Sequence, residues 1–168
     1  MMTHKHYPLV LILALAVTAF STLPQAAQAQ HSKELFDSIR SSDYVALNTM
    51  LKNGADINQT DKSKNTPLML AAKIGDRLVV DALLSGDADP NIRNSAGATA
   101  LMLAAKYGHV HVVEQLILYG ADPLIKNKNG HLASKFASAY GHKEVFLMLL
   151  DSEKEALKGR EITEKTTS

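Results

Sequence analysis

One run of residues occurs twice in this chain, 33 positions apart: NTPLMLAAKIGDRLVVDALLSGDADPN from Asn65, then ATALMLAAKYGHVHVVEQLILYGADPL from Ala98. Thr66 recurs as Thr99, Gly75 as Gly108 and Asp89 as Asp122. A fixed period of this size requires one supersecondary unit to stack on copies of itself. Stepping back, Ala88, Asp89 and Asn91 map onto Ala55, Asp56 and Asn58, while Val80, Leu83 and Leu84 map onto Leu47, Met50 and Leu51. Stepping forward, Gly97 maps onto Gly130, Gly108-His109 onto Gly141-His142, and Val112, Leu116 and Ile117 onto Val145, Leu149 and Leu150. Four units result, two well formed and flanked by two degenerate ones: about 31–58, 59–93, 94–126 and 127–151.

Each unit predicts a helix, a turn, a second helix and an extended turn. Thr66 can cap free amides, and Pro67 suits the first helical position. Leu68, Leu70, Ala71 and Ala72 follow, with alanines small enough for helices to lie close. Gly75 can take the left-handed conformation that ends the helix. A second helix begins near Asp76, with Val79, Val80, Leu83 and Leu84 as an apolar stripe at three-to-four spacing. Asp87-Ala88-Asp89-Pro90-Asn91 then breaks the helix. Asp56, Asp89 and Asp122 recur in these turns, each placed to bond backbone amides just ahead of it rather than to form a catalytic carboxylate pair. No unit buries its stripe alone, so stacking must create one continuous core.

These residues resemble the ankyrin repeat. TPLMLAAKIGDRLVVDALL and TALMLAAKYGHVHVVEQLI are similar to its helix pair, and GADIN, DADPN and GADPL to its closing turn. The resemblance covers roughly residues 33–151. It implies an all-α solenoid of about four stacked helix-turn-helix units with hairpin-like turns, serving as a non-enzymatic protein-binding module. Three departures stand out. Met69, Met102 and Lys135 stand where the family usually has a histidine bonding the neighbouring backbone, so that network is expected to be missing. Asp87 replaces a turn glycine, and Leu132 replaces the capping threonine of the fourth unit.

Outside the repeats, the start of the chain reads as a secretory signal peptide spanning residues 1–29. Lys5 precedes Leu9–Phe20, a run of 12 residues apolar but for Thr18 and too short to span a bilayer. Pro24 and then Ala27-Gln28-Ala29 supply a small-x-small cleavage signature, with the cut expected after Ala29. The expected location is the periplasm, with secretion as the alternative, and no membrane insertion after cleavage. Losing Lys5 takes Lys+Arg from 18 to 17, equal to the 17 Asp+Glu, so no general affinity for nucleic acid or anionic membrane is indicated. With no cysteine, thiol catalysis and thiolate metal sites are excluded. A domain over residues 30–151 would follow, then a charged and flexible tail over residues 152–168.

The first unit looks like an N-terminal cap. Its first helix is polar, with Lys33, Glu34, Asp37, Ser38 and Arg40, as an outer face in water requires. Ser42-Asp43 opens its second helix. No phosphate-cradling loop, nucleophile elbow or two-histidine zinc helix is present in the sequence. His109-x-His111 with Glu114 is the nearest approach to a metal cluster, but two-residue spacing does not put ligands on one helical face. His109 and His142 instead share one repeat position at the start of a second helix. No cofactor, catalytic residue or metal site is expected.

The resemblance also implies a concave groove lined by the turn tips and the exposed end of each first helix. Carried over by position, the candidates are Lys62, Asn65, Lys73 and Ile74 in the second unit. They are Arg93, Ser95, Ala98, Lys106 and Tyr107 in the third, and Lys126, Lys128, Asn129, His131 and Tyr140 in the fourth. The charged members are all basic, with Asp61 the main acid nearby, so the expected partner is another exported protein with an acidic surface, bound by a monomer. A subset of exported bacterial ankyrin proteins, which this chain resembles in its signal peptide and small repeat number, is associated with catalase and peroxide defence, so support of such an enzyme is one expectation. An inhibitor or immunity partner of a co-produced enzyme or toxin is the second. A haem- or metal-binding accessory, with His109, His111 or Tyr107 as ligands, is an alternative of another class.

Overall fold

A computed structural model describes residues 25–166. It contains eight helices among the described residues and no strand there: α1 (Gln25–Arg40), α2 (Tyr44–Lys52), α3 (Pro67–Ile74), α4 (Arg77–Ser85), α5 (Ala100–Tyr107), α6 (Val110–Leu118), α7 (Ala133–Ala139) and α8 (Lys143–Thr166). They form four hairpins in two layers. The first helices α1, α3, α5 and α7 stack side by side, and α4, α6 and α8 stack behind them.

Local chemistry sets the boundaries. Thr66 and Thr99 accept the amides of Met69 and Met102 at 3.2 and 3.4 Å, each closing the N-terminus of a first helix. Leu132 has no such hydroxyl, and α7 starts without a side-chain cap. Gly75 and Gly108 end α3 and α5 at φ +85° and +75°. Asp43 and Asp76 cap the second helices α2 and α4. In the turns, Asp56, Asp89 and Asp122 accept the amide two residues on, from Asn58, Asn91 and Leu124 at 2.8–2.9 Å. Asp87 holds the left-handed position at φ 64° that glycine holds at Gly54 and Gly120.

One core runs through the stack. Leu35 and Ile39 begin it, Val79, Val80, Leu83 and Leu84 continue it, and Val112, Val113, Leu116, Val145 and Leu149 complete it. Truncating a leucine at its centre, such as Leu83, would cost about 2–5 kcal/mol. Met69 and Met102 join this core, so the histidine bonds expected of those positions are absent. Other side chains cross between units in their place. Asn58 and Asn91 accept the amides of Asp89 and Asp122 in the next turn at 3.0 and 2.8 Å. His109 Nε2 donates to the Lys73 carbonyl at 3.1 Å, and His142 Nε2 to the Lys106 carbonyl at 3.0 Å. A carbonyl only accepts, so both rings carry the proton on Nε2.

The ends of the chain differ from expectation in one respect. The run Leu9–Phe20 lies outside the described residues. α1 begins at Gln25, before the expected cut after Ala29, and Leu35, Phe36, Ser38 and Ile39 are buried along its later turns. Beyond the boundary expected at 151, where a flexible tail was expected over residues 152–168, α8 continues without a break to Thr166. The charges that suggested disorder are arranged for a helix: Lys154 pairs with Asp151 at 3.1 Å and Lys158 with Glu155 at 2.8 Å, both three residues apart. Alanine, leucine, lysine and glutamate are strong helix formers, and a helix nucleated by packed turns extends at little cost. Arg160 also reaches back to Asp122 at 2.8 Å, tying the extension to the third unit's turn.

Candidate functional site

The repeat that builds the core also builds a surface. Positions separated by 33 residues fall at equivalent places on successive first helices, so Arg40, Lys73 and Lys106 stand in a row near the ends of α1, α3 and α5. Beside that row lies an open groove of about 380 Å³. Its apolar floor is Phe36, Met69, Leu70 and Leu103, and its rim is Arg40, Asp61, Asn65, Lys73, Lys106 and Tyr107.

The rim is preorganised. The Lys106 ammonium lies 5.7 Å from the Tyr107 ring centroid and 5.2 Å from that of Tyr140, and Lys73 lies 6.0 Å from Tyr107. Such cation–ring contacts hold flexible lysines over one face. The helix ends beneath them are anchored by the histidine bonds to the Lys73 and Lys106 carbonyls. The single acid of the lining, Asp61, is occupied. Partial burial pushes its carboxyl up, but bonds from the Asn65 amide side chain, the Asn65 and Ser63 backbone amides and the nearby Arg40 charge outweigh this and hold it below the usual carboxylate range.

Of the residues singled out in the sequence, Asn65, Lys73, Lys106 and Tyr107 meet in this groove, and Tyr140 joins them through Lys106. Ile74 is exposed at the end of α3 but does not line it. Lys62, Lys126 and Lys128 are exposed on the turns and do not line the groove. Arg93 is engaged in holding turns together, donating to the Gly97 and Lys126 carbonyls at 3.3 and 2.8 Å. Asn65 has the same double character, since its side-chain oxygen accepts from Asn94 at 2.8 Å. His131 stacks edge-on against Phe136 with centroids 6.2 Å apart. His111 pairs with Glu114 at 3.1 Å on an exposed face of α6. Among the described residues, no three His, Asp or Glu side chains stand together as a metal site.

The sequence reading missed Phe36 and Arg40. Its groove candidates begin in the second unit, because the first has no preceding turn. The signal was present: one step of 33 back from Met69 and Lys73 lands on Phe36 and Arg40. Leu70 was placed among the helix-packing residues, yet it and its repeat equivalent Leu103 are only partly buried and floor the groove.

The model of the family described as ankyrin repeats (3 copies) matches residues 35–127 and again residues 68–162. The chain belongs to the ankyrin repeat family. Ankyrin repeat proteins are typically non-enzymatic modules for protein–protein interaction, and the two overlapping matches fit an array whose units follow a single register. The second match extends through 162, into the helical extension of α8. A search of curated proteins returns no match. Among the described residues of this ankyrin repeat protein, no helix is long and apolar enough to cross a membrane.

Proposed function

We propose that this ankyrin repeat protein is an exported, non-enzymatic binding module whose concave groove docks an acidic surface of another exported protein. The observation that carries this reading is the meeting of three cations from three successive units, Arg40, Lys73 and Lys106, around one apolar-floored groove. Interfaces favour this mixture of arginine, tyrosine and an apolar centre. Export rests on Leu9–Phe20 and the Ala27-Gln28-Ala29 signature. N-terminal sequencing of the protein from the periplasmic fraction is expected to begin at Gln30; a start at Met1 or Met2 would refute that part.

For the groove, the test is Lys73→Glu combined with Lys106→Glu, used as bait against the extract that contains the native partner. The wild-type protein is expected to retain a specific protein that the double variant loses, with the helical spectrum unchanged. Equal retention by both would refute the groove as the binding face. Which partner class applies follows from identifying the retained protein. A peroxide-defence enzyme such as catalase is the first expectation, because exported relatives of similar build are associated with such enzymes. A co-produced enzyme or toxin would instead mark the protein as an inhibitor or immunity partner.

A further inference from the structure

The groove has a spacing as well as a charge. Its three cations sit on α1, α3 and α5, helices that pack directly side by side. Neighbouring packed helices lie about 8–10 Å apart, so Arg40, Lys73 and Lys106 form a ladder with that step. All three remain available to a ligand. Lys106 is held between two tyrosine rings rather than by a carboxylate. Arg40 pairs with Asp37 at 2.7 Å, but both side chains are 53% exposed, and such a surface pair exchanges one carboxylate for another at little cost. Asp61, the acid on the rim, already accepts three bonds from Ser63 and Asn65.

Building on the function proposed above, we infer that the groove takes an extended acidic segment in polyproline II conformation with a carboxylate at every third residue. The argument is one of matching periods. A polyproline II chain turns once in three residues and rises about 3.1 Å per residue, so every third side chain returns to the same face about 9 Å further on. That equals the helix-to-helix step of the ladder. A β-strand brings side chains to one face at every second residue, about 7 Å apart, and puts the third on the opposite face. An α-helix repeats a face every 5.4 Å or so, and two turns carry it about 10.8 Å, past the step at every rung. Neither matches three cations in succession. The apolar floor of Phe36, Leu70 and Leu103 lies beside the ladder and would receive the rings and methylenes between the acids. The chain crosses the first helices along the stacking direction, with one acid per unit.

The test uses labelled nine-residue peptides and fluorescence anisotropy. One peptide carries three Glu-Pro-Pro triplets; its isomer has the same composition with the three glutamates adjacent. The triplet peptide is expected to bind about tenfold more tightly than the isomer, which forgoes two exposed ion pairs. Its affinity should fall with salt, and Lys73→Glu with Lys106→Glu should erase the preference. Equal affinity for the two isomers, or a preference that survives in the double variant, overturns the spacing. If neither peptide binds while the double variant still loses its native partner from extract, the spacing fails and the groove stands. If the double variant keeps the partner as well, both readings fail.

Discussion

Replacing Gly75 by alanine tests the contact that joins the groove to the stack. Gly75 sits at φ +85°, and a Cβ built there would lie 2.5 Å from the Cε1 and Nδ1 of His109 and 2.8 Å from its Cγ. Because Cγ is the base of the ring, no small rotation clears the clash. The ring must leave, and with it the bond from Nε2 to the Lys73 carbonyl. Gly141 separates the two parts of this cost. It has a similar φ of +79°, and nothing lies within 4 Å of its added Cβ. Gly141→Ala should therefore cost only the left-handed strain, partly offset by the entropy that alanine removes from the unfolded chain, about 1 kcal/mol. Gly75→Ala should add a lost hydrogen bond of about 1 kcal/mol and some packing, for a total of about 2–3 kcal/mol. His109→Ala alone removes the bond, so in Gly75→Ala/His109→Ala that part is counted once, with a coupling of about 1 kcal/mol. Urea unfolding followed by circular dichroism supplies all four values, provided the slope stays constant. A Gly75→Ala cost no larger than that of Gly141→Ala, or strictly additive single effects, would refute the argument.

Three further perturbations address separate features. Lys64 occupies φ 60° where the equivalent positions in the next two units are Gly97 and Gly130, so Lys64→Gly is expected to raise the urea midpoint, with a gain of up to about 1 kcal/mol. Asp76 lies below its ordinary value of 3.8: partial burial raises it, but bonds from the Ser42 and Tyr44 hydroxyls and the Val79 and Leu78 amides prevail. The folded state therefore binds its proton less readily, so this stabilisation is present above pH 3.8 and is lost as the pH falls through the lower folded value. Asp76→Asn should flatten the acid limb of stability against pH, and an unchanged limb would count against these bonds as the cause. Glu153 is only 9% exposed, and its Oε1 has no hydrogen-bond partner. Glu153→Met should stabilise the fold by about 1 kcal/mol, read from the thermal midpoint, since it removes an unsatisfied polar atom.

The fold was legible because register carries over residue by residue. Thr66, Gly75, Asp76 and Asp89 each announce a boundary by their own chemistry, and each recurs or is replaced at a known position. The groove was legible only in part. Lys73, Lys106 and Tyr107 could be placed by register, but Arg93 occupies a groove position in sequence and a bracing position in space, because its reach decides which carbonyls it meets. The histidine bridges escaped notice for a related reason. Position fixed where His109 and His142 stand, while the carbonyls they reach lie 36 residues away in the preceding unit. The helical C-terminal extension was not legible in composition, which scores charge as disorder, whereas helix there depends on ion pairs three residues apart and on one arginine reaching back to Asp122.

The unbroken course of α8 fixes where this scaffold can grow. A further hairpin added after Leu150 would have to begin by interrupting a helix of 24 residues, whose far part is already fastened to the body through Arg160. New units splice most readily between the existing inner ones, where Asn58 and Asn91 already accept the amides of the next turn. Lengthening the array therefore means duplicating its middle, and each duplicate would carry another lysine into the row that faces the groove.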